Sequence, residues 1–166
     1  MTTPVSPYDE LREQLAMAML RLKQVEDERA VLATLYGYHH KLGKHDRAGW
    51  LNCFAADGVL LAIGPDGGQL YELKGQAALA QWYDRRTGNW PPGSESHAYV
   101  SPLVRIDGDR AEVTGFFMTM SMGDGALALR STGQYSDRLV RSPDGAWRIG
   151  ERRIQIRMTN RRTFVS

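Results

Sequence analysis

The chain has 166 residues, 42% hydrophobic and 24% charged, with a formal net charge of +2. That describes one soluble globular domain with enough chain for a sizeable core, neither disordered nor basic enough to argue for nucleic acid. Cys53 is the single cysteine, which excludes an internal disulfide. The opening MTTPVSPYDE lacks a basic region followed by an apolar one, and no apolar run nears the roughly 20 residues of a membrane span, so a cytoplasmic protein with no membrane partner is expected.

Ser6-Pro7-Tyr8-Asp9 reads as a helix start: a capping serine, a proline at the first helical position, and an acid in the first turn. The helical pattern runs to about Leu42, with an irregularity expected near Gln24–Asp27. In its second half Val31, Leu35, Tyr38 and Leu42 recur at helical spacing as one buried stripe. Gly43 is a plausible stop, and Asp46 can cap a short second helix containing Trp50, Leu51 and Phe54.

The period then changes. GVLLAIG (58–64) and QLYEL (69–73) read as strands around the turn PDGG, and GQAALAQWY (75–83) reads as a helix. A Gly-, Pro- and Ser-rich loop over 87–96 leads into four long strands over 97–106, 110–122, 126–140 and 146–158. The last strand switches phase. Trp147 and Ile149 are odd-numbered, whereas Ile154, Ile156 and Met158 are even, so a bulge or bend is expected near Glu151–Arg153. Helices followed by a bent meander predict an α+β domain, a cone with an interior pocket. Neither a repeat nor a linker is visible. Residues 1–27 read as an N-terminal helical extension and 28–166 as the cone domain.

Arg148, Arg152, Arg153, Arg157, Arg161 and Arg162 crowd the C-terminus, but apolar residues interleave with them. A charged strand face fits better than a nucleic-acid patch. In FFMTMSM, Phe116, Met118, Met120 and Met122 share one strand face. They are core packing or the wall of a pocket, since methionine conforms to irregular apolar ligands. Phe117 and Tyr135 are assigned to an outer sheet face that self-association could cover.

Three of the four histidines lie in YGYHHKLGKHD (36–46). His39 and His40 are adjacent and diverge on a helix, and no His-x-x-x-His pair exists, so no metal is expected. At about 100° per residue His39 falls between Tyr38 and Gly43, while His40 points away. His40 and His45 read as solvated residues near a helix C-terminus. His39 reads as packed, solvated or part of a site. No carboxylate partner for His97 is read close to it in sequence.

The segments LYGYHHKLGKHDRAGWLNCFAADGVL, HAYVSPLVRIDGDRAEVTGFF and GQYSDRLVRSPDGAWRIGERRI, in this order and spacing, resemble the SnoaL-like family of the nuclear-transport-factor-2-like superfamily over roughly Glu28–Met158. The resemblance implies a cone-shaped α+β barrel, helices packed on a strongly bent, mostly antiparallel sheet, with a deep apolar cavity. It also implies dehydratase, isomerase, dehydrohalogenase or polyketide-cyclase chemistry, mostly without a cofactor, in homodimers or homotrimers. Tyr38 and His97 match family site positions. Gly43 and Met120 stand where dehydratase-like members carry carboxylates.

The expectation is therefore a lyase or isomerase, such as a dehydratase or cyclase, with no cofactor. Its substrate would be a small hydrophobic, oxygenated ring compound of polyketide or steroid-like type. His97 would be the general base, Tyr38 would stabilise a developing oxyanion, and His39 would orient His97 or act as the acid. Phe54, Trp82, Phe116, Met118 and Met120 would form the substrate wall. A non-catalytic binder of a small hydrophobic ligand, or a scaffold with a filled cavity, are the rival readings.

Overall fold

The N-terminal sequence folds as its capping signals dictate. In the computed structural model, which describes residues 6–88, 90–123 and 126–159 (122, 123 and 126 by backbone alone), the Ser6 side chain accepts from the Tyr8 N–H and opens helix α1, Pro7–Gly43. No irregularity interrupts α1 at residues 24–27: nothing there breaks the backbone ladder, and the Lys23–Asp27 pair at 2.6 Å spans that turn. Asp46 caps the short helix α2, Arg47–Leu51, through the Gly49 N–H. Phe54 does not belong to α2; it begins strand β1, Phe54–Ile63.

Strand β2 (Gln69–Lys74), helix α3 (Gly75–Gly88) and the long strands β3 (Glu95–Asp107), β4 (Arg110–Gly123), β5 (Ala126–Arg141) and β6 (Trp147–Thr159) follow. They form a six-stranded sheet in the order β2-β1-β6-β5-β4-β3. Every pair is antiparallel except β1 with β6. The sheet curls around the helices into a cone without closing, so the architecture is α+β as expected but not a sealed barrel. Among the described residues no helix is long and apolar enough to cross a membrane.

Bulges produce the curl. Arg138 pairs with Glu151 and Leu139 with Ile149, so Gly150 is the extra residue, just ahead of the stretch where the phase switch placed it. Before it Trp147 and Ile149 are buried; after it Arg152 and Ile154 are. A second irregularity lies between Val100 and Leu103 of β3, where Ser101 takes a positive φ of 52°.

The inner face of β4 is the opposite of the one expected. Ala111, Val113, Phe117, Thr119 and Ser121 are buried, while Phe116 is 50% and Met118 37% exposed, with Met120 on that same outer side. Over 116–121 the outward face carries Phe116, Met118 and Met120 and the inward face only Phe117 among large apolar side chains, so local hydrophobicity points to the wrong face. The small inward residues Ala111 and Val113 set the parity from the other end of the strand. The Met122 side chain lies outside the described residues, as do Arg161 and Arg162. Phe117 and Tyr135 correspondingly leave the outer face assigned to them: they stack inside the cone with ring centroids 4.6 Å apart.

Gly133 of β5 lies directly beneath that stack. A Cβ there would overlap the Gln155 carbonyl oxygen of β6 and press on the Phe117 ring. Gly133→Ala is therefore expected to destabilise the domain by about 1–3 kcal/mol, the usual range for overpacking. Urea denaturation of the two proteins measures the difference.

Candidate active site

The interior of the cone holds a cavity of about 170 Å³. Tyr38 and Leu42 from α1, Trp82 and Arg86 from α3, His97 from β3 and Phe117 and Tyr135 from the far strands are among its lining residues. Helical spacing sends Tyr38 and Leu42 to the same side of α1, and the burial of both shows that side to be the inner one.

At the centre of the cone is an ion pair that the sequence reading missed. Arg152 of β6 and Asp137 of β5 have fully buried side chains, and the guanidinium donates twice to the carboxylate, at 2.8 and 2.9 Å. Tyr99 donates to the same carboxylate at 3.2 Å. The guanidinium carbon lies 4.2 Å from the Tyr38 ring centroid and 4.4 Å from that of Tyr135, within cation–π range of both. Arg152 is thus not part of a solvated arginine face. The signal was present: once the bulge shifts the phase, Arg152 shares the even-numbered inward side with Ile154.

The second missed element is the carboxylate beside His97. Glu95 stands two residues earlier on β3, and strand period places both side chains on one face. The Glu95 Oε2 lies 3.6 Å from the His97 Nε2, an electrostatic contact rather than a hydrogen bond, and Arg86 of α3 pairs with the same oxygen. The expectation that no carboxylate lies close to His97 in sequence is therefore overturned. An i, i+2 spacing on a predicted strand would have found it, had the strand not been begun two residues late.

His97 is mostly buried, and its Nδ1 makes no hydrogen bond. Burial pushes its pKa below the ordinary value; Glu95 opposes the shift, while Arg86 and Arg152 add to it. The imidazole is neutral near pH 7. Burial drives the Tyr38 hydroxyl pKa upward, against the pull of Arg152, so it remains a hydrogen-bond donor.

The other expected site residues divide. Trp82 lines the cavity. Phe54 is buried in the core, 5.8 Å from the Tyr38 ring centroid, and supports that ring from outside the cavity lining. Phe116, Met118 and Met120 face outward and do not form its wall. His39 is buried beside His97, ring centroids 5.7 Å apart, but borders an outer groove of about 270 Å³ between α1 and β3 rather than the interior cavity. Neither of its ring nitrogens has a partner, and burial holds its pKa well below normal. His97 and Glu95 border this groove too, and His97, which also lines the interior cavity, forms part of the partition between them. Among the described residues no three His, Cys, Asp or Glu side chains are grouped as metal ligands.

The model of the SnoaL-like domain matches residues 23–153. This chain belongs to the SnoaL-like family. Among curated proteins none matches. Solved structures share the fold. A Mycobacterium tuberculosis protein of unknown function is 23% identical with a TM-score of 0.70, the match covering 93% of this chain and 78% of that one. A candidate scytalone dehydratase from Novosphingobium aromaticivorans is 18% identical at a TM-score of 0.69, covering 86% and 92%. ActVI-ORFA from Streptomyces coelicolor is 19% identical at 0.65, covering 78% and 96%. At these identities the likeness establishes the fold alone.

Asp137→Ala removes one partner of a buried pair and strands the Arg152 charge. The expected loss is about 3–5 kcal/mol, read from chemical denaturation. Stability should also depend on pH in a defined direction. The folded pKa values of His39 and His97 lie below the ordinary 6.5. Below about that pH the unfolded chain takes up protons that the folded chain refuses, so acid favours unfolding. The melting temperature should fall as pH drops from 7.5 towards 5, and His39→Phe should flatten that slope.

Proposed function

We propose that the protein is a cofactor-independent lyase or isomerase of dehydratase or cyclase type, acting on a small oxygenated ring compound inside the cone. The observation that carries this reading is the neutral imidazole of His97 on the same cavity as the Tyr38 ring, with the Glu95–Arg86 pair behind it. A cavity of about 170 Å³ is close to one known to hold a single benzene ring, which favours a one-ring substrate over a polycyclic one.

The Glu95 carboxylate, 3.6 Å from Nε2, orients the neutral ring, which keeps one lone pair to accept a proton. His97 removes a proton from carbon next to a carbonyl. The electron pair moves onto the carbonyl oxygen, where the Tyr38 hydroxyl donates to the growing negative charge. The imidazolium then returns its proton either to a β-hydroxyl, which departs as water, or to another carbon of the enolate, which isomerises the substrate. Glu95 takes the orienting role first assigned to His39. Burial holds the His39 pKa well below normal, so near neutral pH the ring is not the protonated form that could serve as an acid, and it acts as packing behind the base.

The second reading, a non-catalytic binder of a small hydrophobic ligand, is favoured by Gly43, which leaves space where the resemblance implies a carboxylate. Proton exchange separates the two. A panel of one-ring hydroxylated carbonyl compounds in deuterated water, followed by NMR, reports loss of the α-proton even without net turnover. His97→Ala should lower that exchange by at least about 10²-fold with the fold retained, and Tyr38→Phe should lower it partially. His40→Ala and His45→Ala should leave it at the parent rate. Glu95→Gln should move the acid limb of the pH profile to lower pH, because Glu95 raises the His97 pKa. Binding with no exchange in the parent protein supports the binder; exchange that survives His97→Ala at the parent rate removes His97 from the role of base.

A further inference from the structure

The first half of α1 is an arm with an unpartnered apolar stripe. Tyr8, Leu11, Leu15, Met19, Leu22 and Val25 are each between 52% and 72% exposed. Taking Leu15 as zero and about 100° per residue, these six and Ala18 fall within roughly 120° of helix surface. Tyr8, Leu11, Leu15, Ala18, Leu22 and Val25 alternate spacings of three and four, the seam of a two-stranded coiled coil. Met17 and Leu20 lie on the opposite side.

The stripe faces away from the domain. Val31, Leu35, Tyr38 and Leu42, which bury α1 against the sheet, lie about 140–200° around the helix from Leu15. The helix is pinned to the body at Asp27, which bridges Lys23 and Arg141 at 2.6 Å each. Beyond that point the arm reaches about 30 Å, a length of single helix that is marginal in water unless something covers its apolar side. The family match begins only at residue 23, so the arm lies almost entirely outside it.

We infer that the arm is the docking surface for the same arm of a second copy of this chain, packed antiparallel about a two-fold axis near Met19. Charge selects the occupant and its direction. Arg12, just outside the edge of the stripe, and Glu26, just inside it, stand seven residues either side of Met19. An antiparallel self-pair sets Arg12 of each copy against Glu26 of the other, so the surface is complementary to itself. A parallel pair would separate the two charges by about 21 Å along the axis. Because the stripe is turned from the body, the two cones lie on the outer sides of the helix pair.

The test uses the full chain, with mass measured by light scattering at micromolar concentration. The apolar outer sheet face, carrying Phe116 and Met118, offers another route to a dimer, so a doubled mass alone does not decide. Leu15→Lys with Leu22→Lys should halve the parent mass while near-ultraviolet circular dichroism and the melting transition of the cone stay unchanged. Arg12→Glu alone should raise the Kd about tenfold, two ion pairs having become repulsive, and adding Glu26→Arg should restore it. Met19→Cys should cross-link copies on mild oxidation; native Cys53 is buried. A monomeric parent, including one whose arm captures a different protein, overturns the inference. So does a mass that the two lysines leave unchanged, or a charge reversal that the second exchange fails to rescue.

Discussion

The Arg152–Asp137 ion pair is the constraint on which the interior of this protein depends. Two full charges buried between adjacent strands are tolerable only when each is answered in place. The carboxylate takes two bonds from the guanidinium and one from Tyr99, and the guanidinium, whose buried Nη1 makes no hydrogen bond, lies within cation–π range of the Tyr38 and Tyr135 rings. These rings cannot move independently of the pair. The same contacts that neutralise the charge therefore fix the Tyr38 ring on the cavity wall. The field of Arg152 also reaches the chemistry, since it helps keep both His39 and His97 unprotonated.

Around this centre the cone divides its polar groups by location. Arg86 and Glu95 meet at the partition between α3 and β3, and His97 stands beside them with one side on the interior cavity and one on the outer groove. Glu95 sits two residues from His97 on the same strand, so their separation is set by the pleat rather than by helix–strand packing. The aromatic packing of Trp50, Trp82, Phe54 and Tyr38 leaves only a small volume open beside it.

Helix α1 serves two surfaces. Its C-terminal half supplies Tyr38 and Leu42 to the cone, and its N-terminal half carries apolar side chains that the cone does not touch. The two halves belong to one uninterrupted helix, pinned to the body between them where Asp27 meets Arg141.

The sequence by itself determined the order and type of the elements, the bulge at the start of the phase switch in β6, and the inward faces of Tyr38 and His97. These follow from local physics: caps, turn residues and periodicity act within a few residues of where they are read. It did not determine which face of β4 points inward. Period-two alternation has two solutions; the larger apolar side chains of residues 116–120 lie on the outer one, and packing of Phe117 against Tyr135 of β5 holds the other inside. Nor could it disclose that Arg152 and Asp137 meet, because a pairing across 15 residues depends on a register shifted by a single extra residue at Gly150. Side-chain chemistry was visible residue by residue; which charges are buried together is a property of the curled sheet, and the tertiary structure alone decided it.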